Sequence, residues 1–141
     1  MQGDSPLLDL YRQSASAGDV QAMVVLGKVY FYGLQGIQQD FEEAAFFFHL
    51  AAKREEASAC GYLGTIYLHG LGVKQSDAKA IKYFRKGERG SDAQAFAGLA
   101  YLYLMHENAE LFREVVEMDL FTSNDADDLS DSLLHSKETS S

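Results

Sequence analysis

The strongest constraint on how this 141-residue chain can fold is that it repeats itself. Ala22, Leu26, Gly27, Tyr30 and Gly33 recur as Ala59, Leu63, Gly64, Tyr67 and Gly70, an offset of 37 residues. A third copy keeps Ala95, Leu99, Ala100 and Tyr103 at a further 36. Later in the unit, Ala44, Ala45 and Phe48 answer to Ala80, Ile81 and Phe84, again at 36. The one-residue difference falls between Gly33 and Asp40, where an extra loop residue costs little. A period of this length marks a stack of like units, each burying its apolar face against its neighbours.

Each unit reads as two helices. Ala22, Leu26, Val29, Tyr30 and Gly33 form one stripe of a first helix, and Phe41, Ala44, Ala45 and Phe48 one stripe of a second. The alanines let paired helices approach closely, while Tyr30 or Tyr67 fills the space beside them. Gly33 and Gly70 close their helices in the left-handed conformation that glycine adopts cheaply. Asp40 caps the next helix, with Glu43 completing a capping box, and Ser76 caps its counterpart. Pro6 is the one proline, so no strong breaker interrupts the rest. The fold expected is all-α, an α-solenoid of antiparallel helix pairs with a disordered acidic C-terminal tail. Its parts are the second helix of a partial repeat (7–17), repeat 1 (18–53), repeat 2 (54–90), a partial repeat 3 (91–106), a capping helix (107–121) bearing Leu111, Val115 and Met118 on one face, and the tail (122–141), which has no apolar period.

The net charge of −9 is unevenly spread: residues 1–106 carry −1 and residues 107–141 carry −8. A near-neutral body makes nucleic acid an unsuitable partner. No stretch reaches the roughly 20 apolar residues of a membrane span, so no membrane insertion is expected. Residues 1–15 lack a basic start and a long apolar run, unlike a signal peptide. The one cysteine excludes an internal disulfide framework.

At Ala59, Leu63, Gly64, Tyr67, Gly70, Gly72, Val73, Ala80, Tyr83 and Phe84 the chain resembles the Sel-1-like repeat family, a tetratricopeptide-like group. The resemblance covers roughly residues 7–106. Gly18 to Ala22 and Phe48 to Ala52 look like the animal Sel-1 adaptors of endoplasmic-reticulum-associated degradation. Those adaptors are lumenal solenoids that tether a membrane ubiquitin ligase to misfolded glycoproteins. The resemblance implies a non-enzymatic protein-binding scaffold whose partner is a peptide or helix, such as part of a ubiquitin ligase subunit. Two departures stand out. Arg54, Glu55 and Glu56 occupy a turn where the family uses glycine, and Leu104 to Glu107 replace the Gly-x-Gly-Val turn. The expected compartment is the endoplasmic reticulum if the chain belongs to a longer one with a signal peptide, and the cytoplasm if it is complete. The competing readings are a cytosolic or mitochondrial signalling adaptor with a regulated acidic tail, and a small serine hydrolase.

The hydrolase reading rests on Ser76 and Lys79, which match S-x-x-K. Ser76 stands where Asp40 stands one repeat earlier, so a helix cap accounts for it, and neither S-D-N nor K-T-G accompanies it. His106 and Glu107 open like H-E-x-x-H, but Glu110 takes the place of the second histidine. His49, His69 and His135 do not converge in the repeat frame, and Cys60 aligns with Met23 and Phe96 as a packed thiol. No catalytic residue, metal site or cofactor is therefore expected. Serines beside carboxylates in residues 123–134 suit an acid-directed kinase, while Leu129, Leu133 and Leu134 suit a short binding helix.

A partner surface is expected where first helices vary while the frame holds. Those positions are Val24, Gly61 and Ala97; Lys28, Thr65 and Tyr101; Phe31, Leu68 and Leu104; Tyr32, His69 and Met105. Spacings of three and four place them on one side, the concave face of a solenoid, where an extended or helical peptide would lie. The opposite expectation is that neighbouring helices bury them. Leu7, Leu8, Leu10 and Tyr11 lie in a half repeat without its partner helix, which favours self-association through this end.

Overall fold

The computed structural model describes residues 5–106 and residue 113. These contain six α-helices and, among the described residues, no strand: α1 (Pro6–Ser16), α2 (Val20–Tyr32), α3 (Phe41–Ala52), α4 (Ala57–His69), α5 (Asp77–Arg89) and α6 (Ala93–His106). The expected cap (107–121) and tail (122–141) lie outside the described residues, residue 113 apart. No helix among the described residues is long and apolar enough to cross a membrane. The chain is a solenoid in which each helix packs on the next and α4 also meets α6.

Side-chain chemistry sets where the helices start. Asp40 accepts a hydrogen bond from the Glu43 N–H (3.1 Å), and Ser76 accepts from the Lys79 N–H (3.1 Å), so both fill the cap role. The N–H of Asp40, which a capping box would offer to Glu43, donates to the Tyr30 carbonyl at 2.8 Å. The Ser76 N–H donates likewise to the Tyr67 carbonyl at 2.9 Å. Each connecting loop is thus fastened to the tyrosine of the helix before it. Asp19 caps α2 through the Gln21 N–H, and the Ser14 hydroxyl (2.8 Å) holds its carboxyl below the usual carboxylate range.

Glycine sets where two of them end. Gly33 (φ 71°) and Gly70 (φ 66°) are left-handed, and both donate back to carbonyls one turn earlier. The expected absence of glycine after repeat 1 has a structural consequence at Glu55, which adopts φ 62° where the equivalent Gly18 has φ 100°.

The core is a row of repeated seams. A side-chain carbon built on Gly27 would lie 2.6 Å from the Phe48 ring, and one on Gly64 would overlap the Phe84 ring. Glycine at this position lets each second helix lay its phenylalanine across the first. Ala44, Ala80, Leu26 and Leu63 surround these contacts and are fully buried. Successive units are joined by a second repeated contact: Arg12 on α1 bonds the Tyr30 hydroxyl, and His49 on α3 bonds the Tyr67 hydroxyl at 3.1 Å. His49 Nδ1 also faces the Tyr83 hydroxyl at 3.4 Å, and the Tyr67 and Tyr83 rings stack at 5.7 Å. One buried imidazole therefore ties α3 to α4 and α5.

Candidate functional site

The variable positions of α2, α4 and α6 separate into a buried set and an exposed set. Val24 is buried and not available to a partner. At Gly61, its counterpart, Asp92 and Gln94 from the start of the following unit press on the backbone. Their equivalents one repeat earlier are Glu56 and Ser58, and Glu56 reaches Gln21 on α2 at 3.4 Å. Thr65 is half-buried, donating to the Gly61 carbonyl (3.2 Å) and accepting from Gln94 (2.8 Å). Leu68 packs on the core. These four residues serve the packing within and between units.

The others form the accessible face. Tyr32, His69, Tyr101, Leu104 and Met105 are exposed, and Lys28 and Phe31 are partly so. Around α2 and α4 they gather into an aromatic cluster. The Tyr32 hydroxyl lies 2.9 Å from that of Tyr62, while Phe31 meets the Tyr62 ring edge-on at 5.2 Å. Phe31 also reaches Phe41 and Phe48, which anchors the surface cluster to the seam beneath. The Lys28 ammonium sits 6.0 Å from the Tyr62 ring centroid. Burial, and then the bond with Tyr32, raises the Tyr62 hydroxyl well above its ordinary pKa, so it stays protonated. The cluster offers ring faces, hydroxyls and one cation, which suits an amphipathic peptide.

Tyr62 is the member that sequence reasoning missed. It aligns with Val25 and Gly98, outside the positions compared, and only an aromatic four residues before Ile66 on an otherwise framed helix could have drawn attention to it. Tyr101, Leu104 and Met105 share one side of α6, apart from the α2–α4 cluster.

The chemical motifs have plain structural roles. Ser76 is a cap, and the Lys79 ammonium lies over the Tyr67 ring, 5.2 Å from its centroid, with burial holding its pKa below the usual lysine value. His49 is buried in the tyrosine network, His69 is on the surface, and Cys60 is buried. Among the described residues no three His, Cys, Asp or Glu side chains gather as metal ligands would. Glu110, His135 and the acidic serines lie outside the described residues.

Comparison with known proteins agrees with this geometry. A family model described as Sel1 repeat matches residues 20–55 and 57–90. The Arabidopsis thaliana protein "ERAD-associated E3 ubiquitin-protein ligase component HRD3B" is 34% identical over 91 residues, 64% of this chain and 14% of its own length. Human "protein sel-1 homolog 2" is 37% identical over 95 residues, 67% of this chain and 14% of its own. The chain thus spans a small fraction of the curated relatives it matches. Among solved structures, a Sel1 repeat protein from Oxalobacter formigenes superposes with a TM-score of 0.65 at 28% identity, covering 81% of this chain and 88% of that one. With two matched repeats, the seams of α2–α3 and α4–α5, and these relatives, the chain belongs to the Sel1 repeat family.

Proposed function

We propose that this chain is a non-enzymatic scaffold that holds a partner protein of a ubiquitin ligase complex in endoplasmic-reticulum-associated degradation. The observation that carries the reading is the accessible cluster of Lys28, Phe31, Tyr32 and Tyr62, beside which Tyr101, Leu104 and Met105 form a separate exposed group on α6. Aromatic side chains on rigid helices give contact area at small entropic cost, as protein-binding surfaces require. The ligase context comes from the likeness to HRD3B, named as an ERAD-associated ligase component, and it implies an endoplasmic-reticulum location.

The reading is tested by tagging the chain, precipitating it from cells of its source and measuring ubiquitin ligase subunits by mass spectrometry. The native chain should carry a ligase subunit, and Tyr32→Asp with Tyr101→Asp should lose it while keeping the same helical circular dichroism. Failure to recover a ligase subunit, or equal recovery by the variant, sinks the proposal.

A further inference from the structure

Two of the three first helices have one side closed by the helix that follows, and among the described residues no helix follows the third. On α2, Met23 and Gly27 are buried, with Phe48 of α3 across Gly27. On α4, Cys60 and Tyr67 are 2% and 1% exposed, and Phe84 of α5 lies across Gly64. The counterparts on α6 are Phe96, Ala100 and Tyr103. Here Phe96 is 48% and Tyr103 is 54% exposed, and Ala100 is exposed too. The adjoining stripe of α6, Ala95, Leu99 and Leu102, is already buried. One helix thus has two apolar sides, and among the described residues only one of them is covered.

We propose that the open side of α6 is the docking site of this chain's own residues 107–121, which pack there as the second helix of the third repeat. Three observations select this occupant. In both complete units the covering helix comes from the same chain and follows within one short loop. Residues 107–121 have the required stripe, with Leu111, Val115 and Met118 at i, i+4 and i+7, while Glu110, Glu114 and Glu117 form another. The third is steric. A side-chain carbon at Gly27 would stand 2.6 Å from the Phe48 ring, and α6 carries such a carbon at Ala100. A phenylalanine ring cannot cross α6 as Phe48 crosses α2, whereas the narrower, non-aromatic side chains of this stripe can. The connection differs from the earlier ones, because His106, the counterpart of Gly70, is still helical. Asn108, two residues on, is a residue type suited to a left-handed turn. This inference goes beyond the scaffold reading and concerns a different side of α6 from Tyr101 and Leu104.

The chain contains no tryptophan, so Phe96→Trp in the full chain provides a single emitter on the proposed site. Its emission should be blue-shifted and poorly quenched by acrylamide, and it should not change on dilution. Adding Leu111→Asp and Val115→Asp should shift the emission to the red and raise quenching, while Val115→Ile should leave both unchanged. Leu111→Ala with Val115→Ala, which keeps helix propensity, should give the same shift in weaker form. An indole that is solvent-exposed from the start, or indifferent to both pairs of substitutions, overturns the proposal. Shielding that vanishes on dilution overturns it as well, because a second copy would then be the occupant.

Discussion

Gly18, Glu55 and Ser91 stand at one position of the repeat, between a second helix and the next first helix, and their φ angles are 100°, 62° and 62°. A left-handed backbone costs a residue with a side chain about 1–2 kcal/mol, and the greater freedom of glycine in the unfolded chain returns part of the gain. Glu55→Gly and Ser91→Gly should each stabilise the fold by about 0.5–1 kcal/mol in urea titration; a loss at either site would mean that its side chain contributes more than the backbone costs. Ser76 allows a test of the opposite sign. Removing its hydroxyl in Ser76→Ala should cost about 0.5–2 kcal/mol. Ser76→Asp, which copies Asp40, should leave the melting temperature unchanged or raised, and serine-directed acylating probes should label neither the native chain nor this variant. Stoichiometric labelling of Ser76 would restore the hydrolase reading.

At the scale of the helix pair, the glycine–phenylalanine crossing is what makes each unit thin. In Gly64→Ala the added carbon meets the Phe84 ring, and overpacking of this kind costs about 1–3 kcal/mol. Phe84→Leu should cost stability alone yet rescue part of the loss in the double variant, giving a favourable coupling in a double-mutant cycle. Independent, additive losses would show that the ring does not lie across the glycine. The helix pairs and their caps were legible in the sequence because period, glycine and cap residues are local signals that repeat at a fixed offset. Gly27 and Gly64 were legible as repeated letters, but their reason, a ring from the next helix, is a tertiary fact. Val24 shows the limit most plainly. Its helical angle puts it with Lys28 and Phe31, but the next unit stacks over that end of α2, and nothing in the local sequence reports the stacking distance. Tyr62 was lost for the opposite reason, since a residue with no aromatic counterpart in the other units is invisible to a comparison of units.

For the molecule as a whole, a stack is only as closed as its end helices. On α1, Leu8 is buried but Leu7 and Leu10 are 49% and 61% exposed, at positions where α3 and α5 carry the buried Ala44, Ala80 and Tyr83. This uncovered apolar strip should drive concentration-dependent association of the isolated chain. Sedimentation velocity should show that association, and Leu10→Lys should suppress it without lowering the melting temperature. A monomer at every concentration would mean that α1 needs no cover.

The middle of the stack has the reverse property, and it makes the chain report on its own breathing. Cys60, the one thiol in the sequence, sits on the side of α4 that α5 covers and is almost wholly shielded. A thiol reagent can attack it only while those helices are parted, so the ratio of its labelling rate to that of the unfolded chain measures the free energy of that opening. Because α4 is gripped by helices on both sides, that energy should approach the global unfolding free energy from urea titration. Labelling much faster than this would show α5 lifting away by itself, a stack that flexes open at its centre before it melts.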